Sequence, residues 1–179
     1  AESEQDSEPR VMRPFDPSQQ RRVVRGRLHA FDMINERFAR HCRMSLFNLI
    51  RRSADISVES TAFMQYGEFA TSLKMPANIN VVAMKPLRGN ILVVFPPELV
   101  HMVVDSLFGG DGKQFNISAD REFTHTEMRI IRRLLDLAME SYAEGWRSIY
   151  PVEMEYQRSE TQLRFTNITN SDNETVMVS

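Results

Sequence analysis

From about residue 20 to 52, apolar side chains recur every three or four positions, at Val24, Leu28, Phe31, Ile34, Phe38, Cys42, Leu46 and Leu49. That is the period of one helix face, so the pattern predicts a long amphipathic helix whose other faces are filled mostly by arginine. The period then changes. Ile56, Val58, Ala62, Met64 and Tyr66 alternate with polar residues and predict a half-buried strand over 57–65, followed by a helical turn over 67–73. Residues 79–85 and 91–95 read as two strands joined across Pro86–Asn90, and the run Ile91-Leu92-Val93-Val94-Phe95 lacks polar alternation, so both its faces should be covered. Pro97 suits the first turn of a helix reaching about Phe108, with Leu99, Val100, Val103, Val104 and Leu107 as its stripe and Gly109 as its stop.

Thr124-His125-Thr126-Glu127 is a capping box, in which Thr caps the helix and Glu reaches back to the N–H of the cap. A second long helix should start there and continue through Met128, Ile131, Leu135, Ala138, Tyr142, Trp146 and Ile149 until Pro151. Val152, Met154 and Tyr156 predict a strand, Leu163 and Phe165 another, and a third begins near Thr175. The two halves thus share one plan, a long helix followed by strands. The expected organisation is an α/β fold with a first repeat over about 20–112 and a partial second repeat over about 120–179. Only the first half has a closing helix, so the second reads as truncated and the chain as a piece of something longer. Residues 1–19, acidic and holding Pro9, Pro14 and Pro17, read as a flexible linker or tail.

Composition narrows the class. Hydrophobic residues make up 42% and charged residues 26% of the 179, which is a globular balance. No run of about 18 apolar residues is available to cross a bilayer. The single cysteine, Cys42, forbids an internal disulfide and fits a reducing, cytoplasmic setting. The net charge of −2 hides nine arginines against Asp32 and Glu36 in residues 20–52, set on an otherwise acidic chain. Such an element seeks an acidic surface, whether a partner protein, another copy or nucleic acid. The pI of 6.1 and the lack of any aromatic stacking motif argue against nucleic acid.

Catalytic and metal chemistry finds little footing. None of His29, His41, His101 and His125 has a second His or Cys at i+3 or i+4, so no metal or other cofactor is expected. There is no Gly-x-Ser-x-Gly elbow, and Cys42 sits among apolar helix positions. Gly109-Gly110-Asp111-Gly112-Lys113 has the wrong spacing for a phosphate loop and follows a helix instead of leading into one. A helix stop needs only the first of these glycines. The excess points to a loop whose backbone must closely approach another surface.

The segments Arg21-Arg22-Val23-Val24-Arg25, Ile34-Asn35-Glu36-Arg37-Phe38-Ala39-Arg40-His41, Lys85-Pro86-Leu87-Arg88-Gly89, Leu107-Phe108-Gly109-Gly110-Asp111-Gly112, Arg121-Glu122-Phe123-Thr124-His125-Thr126-Glu127 and Phe165-Thr166-Asn167-Ile168-Thr169 together resemble the middle domain of the FliM family of flagellar motor switch proteins. The resemblance runs in order from about residue 20 to the end. It implies a noncatalytic, pseudo-twofold α/β/α sandwich similar to the CheC and CheX phosphatases, placed in the cytoplasmic C-ring at the flagellar basal body, on the inner face of the cell membrane. The implied partners are the FliG middle domain, contacted by a Gly-Gly-x-Gly loop, and neighbouring FliM copies. Here the loop is Gly109-Gly110-Asp111-Gly112, with Lys113 beside it, and Arg37, Arg40 and Arg43 are the candidates for contact between copies. The family regions that bind FliN and phosphorylated CheY are expected to be absent. The alternative implied by the fold, a CheC-like phosphatase acting on phosphorylated CheY, wants an acid or Ser, then Glu and Asn at spacings of four and three. Asp32 with Glu36, and Asp136 with Glu140, are each followed by alanine where that Asn belongs, at Ala39 and Ala143.

Overall fold

The computed structural model describes residues 17–73, 77–111, 121, 123–161 and 174–179, with the side chains of the first helix described from His29 onward. Residues 1–16 of the tail expected over 1–19, the expected strand at Leu163 and Phe165, and Gly112 and Lys113 lie outside the described residues. The elements follow in the order α1 (Pro17–Ile50), β1 (Thr61–Gln65), α2 (Tyr66–Ser72), β2 (Asn78–Lys85), β3 (Asn90–Phe95), α3 (Pro97–Leu107), α4 (His125–Trp146), β4 (Glu153–Glu160) and β5 (Glu174–Val178).

Four boundaries differ from the sequence expectation. Helix α1 already includes Pro17–Gln19, which the sequence reading assigns to the tail, because the fixed φ of proline suits a first helical turn. The strand expected over 57–65 begins only at Thr61, where a partner exists: Thr61 to Gln65 pair antiparallel with Val178 to Glu174. Tyr66, expected to close that strand, instead opens α2 and is buried. Helix α4 ends at Trp146, and Ile149 and Tyr150 fold back in a turn whose N–H groups donate to the Trp146 carbonyl.

Among the described residues the strands form a three-stranded sheet, β3-β2-β4, and a separate pair, β1-β5. In both, the first strand of one half pairs antiparallel with a later strand of the other half: β1 with β5, and β4 with β2. Exchanging the halves, α1 for α4, β1 for β4 and β2 for β5, carries one pairing onto the other. This is the pseudo-twofold relation, built from strands that cross between halves.

The uninterrupted apolar run of β3 has its predicted meaning. Ile91 and Val93 pack against a core built from Leu46 and Ile50 of α1, Val100 and Val103 of α3, and Ile131, Leu134, Leu135 and Ala138 of α4. Leu92 and Val94 face the opposite way, onto Tyr66, Ala77 and Ile79 with Phe69 and Leu73. Helices on one face and α2 on the other make the α/β/α sandwich.

Helices α1 and α4 cross closely. A Cβ on Gly145 would lie 2.9 Å from the carbonyl oxygen of Ile34 and 3.3 Å from the backbone nitrogen of Phe38, so the absence of a side chain lets the backbones meet. Edge-to-face contacts of Phe31 with Trp146 at 5.9 Å and Phe38 with Tyr142 at 5.4 Å flank the crossing. The capping box at α4 forms as expected. The Thr124 N–H donates to Glu127 Oε2 at 2.7 Å, and the Glu127 N–H donates to Thr124 Oγ1 at 3.3 Å.

Candidate functional site

Helix α3 presents the glycine loop. Val100 and Val103 are fully buried, which fixes the helix on the core and aims its C-terminal end outward. The end closes as a Schellman motif: Gly110 N–H donates to the Asp105 carbonyl at 2.8 Å and Gly109 N–H to the Ser106 carbonyl at 3.2 Å. Gly109 takes the left-handed conformation the motif requires, with φ of 88°. Gly110 is restricted differently, since a Cβ there would meet the Asp105 carboxylate at 2.1 Å. That carboxylate ends a short side chain, so a larger residue at 110 has to displace the Asp105 side chain and not the backbone.

Phe108, at the cap just before the glycines, leaves 74% of its surface exposed, more than any other described large apolar residue. Asp111 is exposed beside it. An aromatic ring next to bare backbone on a rigid helix end is suited to protein contact. Sequence reasoning missed Phe108 as a site residue because its spacing continues the α3 stripe. The signal available was its place immediately before a glycine pair, where the helix stops and its last apolar residue can be left uncovered.

The loop is a poor anion cradle. It lies at the C-terminal end of α3, where the helix dipole is negative. Among the described residues no group of three or more His, Cys, Asp or Glu could hold a metal ion, and no helix is long and apolar enough to cross a membrane.

The candidate arginines of α1 divide. Arg37 and Arg40 line a cleft of about 360 Å³ together with His41 and, from the end of α4, Glu144, Arg147 and Ser148. Arg147 pairs with Glu144 at 3.1 Å, which leaves the cleft a net excess of positive charge. Arg43 is engaged inside the chain. It pairs with Asp55 at 3.0 Å and donates to the Ile56 carbonyl at 2.8 Å, tying down the segment after α1. Arg147 was not legible as a member of this cluster, because only the antiparallel packing of α4 on α1 brings it there.

At the spacing of the phosphatase pattern, alanine stands at 39 and 143 in place of Asn. Asp32 and Glu36 are exposed and Ala39 is buried, while the neighbouring Asn35 is fully buried and donates to Thr61 Oγ1 at 3.4 Å. Asp136 is paired with Arg132 at 3.2 Å, and the guanidinium of Arg132 lies 4.0 Å from the centroid of the Tyr156 ring.

One further polar cluster supports α4. Glu127 is buried and receives both nitrogens of the Arg121 guanidinium, at 2.9 and 2.5 Å, and His101 Nδ1 of α3 lies 3.5 Å from its Oε1. The Arg121 hydrogen bonds, supported by those from Thr124, hold the carboxyl at about 2 against its ordinary 4.5, despite the opposing effect of burial. The cluster links α4 to the helix that carries the glycine loop.

A family model for the flagellar motor switch protein FliM matches residues 24–179. The flagellar motor switch protein FliM of Escherichia coli (strain K12) is 57% identical over 166 residues, 93% of this chain and 50% of that protein. Among solved structures, the FliM middle domain from Vibrio alginolyticus is 38% identical with a TM-score of 0.74, over 83% of this chain and 82% of that one. A chain of the FliG–FliM complex from H. pylori is 26% identical with a TM-score of 0.79, over 86% of this chain and 83% of that one. The chain spans about half the length of the curated relatives it matches. With the crossed-strand sandwich, the glycine-terminated α3 and a family match over nearly the whole described sequence, this chain belongs to the FliM family of flagellar motor switch proteins.

Proposed function

We propose that this chain is a noncatalytic structural and switching module of the flagellar C-ring, on the cytoplasmic face of the membrane, which binds FliG through its glycine loop and neighbouring copies of itself through α1. The observation that carries the reading is the end of α3. A helix anchored on the core by buried Val100 and Val103 closes in a Schellman motif and presents exposed Phe108 beside the nearly bare backbone of Gly109 and Gly110. The fold likeness to a chain of a FliG–FliM complex supports FliG as the partner. Gly112 and Lys113 are included in the proposed FliG contact. A signal reverses rotation only by favouring one FliM–FliG arrangement over another, so the module acts through differential contact and not through chemistry.

Titration calorimetry of the 179-residue chain with FliG, alongside Gly110→Val, tests it. The wild-type chain should bind, and the variant should lose at least about tenfold in affinity. Its melting temperature should stay near that of the wild type, since the new side chain has to displace only the Asp105 side chain and not the backbone. A folded wild-type chain that fails to bind FliG, or a variant that binds equally well, defeats the proposal.

The contact between copies is assigned to Arg37 and Arg40 with Arg147, while Arg43 keeps its internal partner. Since the screening length falls from about 10 Å at 0.1 M salt to about 3 Å at 1 M, self-association should weaken across that range in sedimentation. Association that does not respond to salt would remove these arginines from the contact.

A further inference from the structure

Beside the glycine loop, the ends of α1 and α3 and the first turns of α4 enclose a shallow groove of about 230 Å³. Its apolar lining is Leu49, Leu107 and Ile130, and its rim carries Thr126, Arg129 and Arg133. Leu107 immediately precedes Phe108, so the groove is continuous with the exposed aromatic ring and the glycines.

Arg129 and Arg133 stand one helical turn apart on α4 and are both exposed, and their side chains make no ion pair or hydrogen bond with any described residue. Two like charges at this spacing repel each other. Their neighbour Arg132, by contrast, is satisfied by Asp136 and the Tyr156 ring. Among the described residues, no acidic side chain lines the groove. An apolar floor under two guanidinium groups that have no partner among the described residues is complementary to an apolar side chain accompanied by a carboxylate, which arginine can receive in a bidentate fashion.

We infer, resting on the reading proposed above, that the FliG-binding surface continues from the glycine loop into this groove. A FliG segment places an apolar side chain on Leu49, Leu107 and Ile130 and an adjacent acidic side chain between Arg129 and Arg133. The two parts of the surface divide the work. The loop supplies close backbone approach, and the groove supplies the charge-dependent part of the affinity.

Calorimetry with FliG at low and high salt separates them. Wild-type affinity should fall as salt rises. The double variant Arg129→Gln/Arg133→Gln, altered only at exposed positions, should keep its melting temperature, bind at least about tenfold more weakly at low salt, and lose most of the salt dependence. Gly110→Val should bind weakly yet retain the wild-type salt slope. If the double variant binds FliG within about twofold of wild type at low salt, the groove is not part of the surface, while the glycine-loop reading stands. If it binds FliG normally but self-associates less, the groove belongs to a second copy of this chain and the inference is likewise overturned. If the folded wild-type chain does not bind FliG at all, the underlying reading fails and the inference fails with it.

Discussion

Gly145→Val should lower the stability of the chain by about 3 kcal/mol and its melting temperature by roughly 6–12 °C, which thermal unfolding followed by circular dichroism would measure. The added side chain meets the Ile34 carbonyl and the Phe38 backbone, neither of which can rotate away, so α1 and α4 have to separate. Separation also loosens the Phe31–Trp146 and Phe38–Tyr142 contacts. Gly145→Ala should fall between the two, because alanine regains up to about 1 kcal/mol of helix propensity while still crowding Ile34. A valine variant that melts within about 2 °C of wild type would show that the crossing relaxes freely.

Glu127→Gln should destabilise the chain at pH 7 by about 3 kcal/mol, an advantage of the wild type that disappears in acid. The folded carboxyl titrates at about 2 and the ordinary one at 4.5, so the folded state favours the ionised form. That contribution is fully present above pH 4.5 and is lost as pH falls towards 2. Other carboxylates titrate in the same window, so the informative quantity is the difference between wild type and variant in urea unfolding. It should be largest at neutral pH and shrink on acidification. A constant difference from pH 7 to pH 3 would mean that Arg121 and Thr124 do not hold the charge as described. The effect reaches beyond α4, since His101 brings α3 to the same carboxylate.

What sequence alone disclosed depended on how far apart the interacting residues lie. The Thr124–Glu127 cap is written into four consecutive residues and formed as expected. Arg121 and His101 join the same carboxylate from another turn and another helix, and no local pattern announces them. The two-sided burial of β3 was legible from its lack of polar alternation, because burial on both faces is a property of the strand itself. The start of β1 was not, since Ile56 and Val58 alternate as well as Ala62 and Met64 do, and only the reach of β5 decides which of them pair. At the site, the glycines stood out by number. The exposure of Phe108, the grouping of Arg147 with Arg37 and Arg40, and the engagement of Arg43 by Asp55 all follow from packing between elements.

The crossed pairing of the halves governs how the chain reaches its native state. Ser60 and Ser179 hydrogen-bond across a separation of 119 residues, and neither sheet has all its strands until both halves are present. Such distant pairing closes long loops before it gains contacts, which slows folding relative to a helical bundle. During synthesis the edges of β1 and β2 emerge well before β5 and β4 exist to cover them. For that interval the nascent protein offers unpaired strand edges to its neighbours, and its yield in the cell should depend on chaperones that shield them.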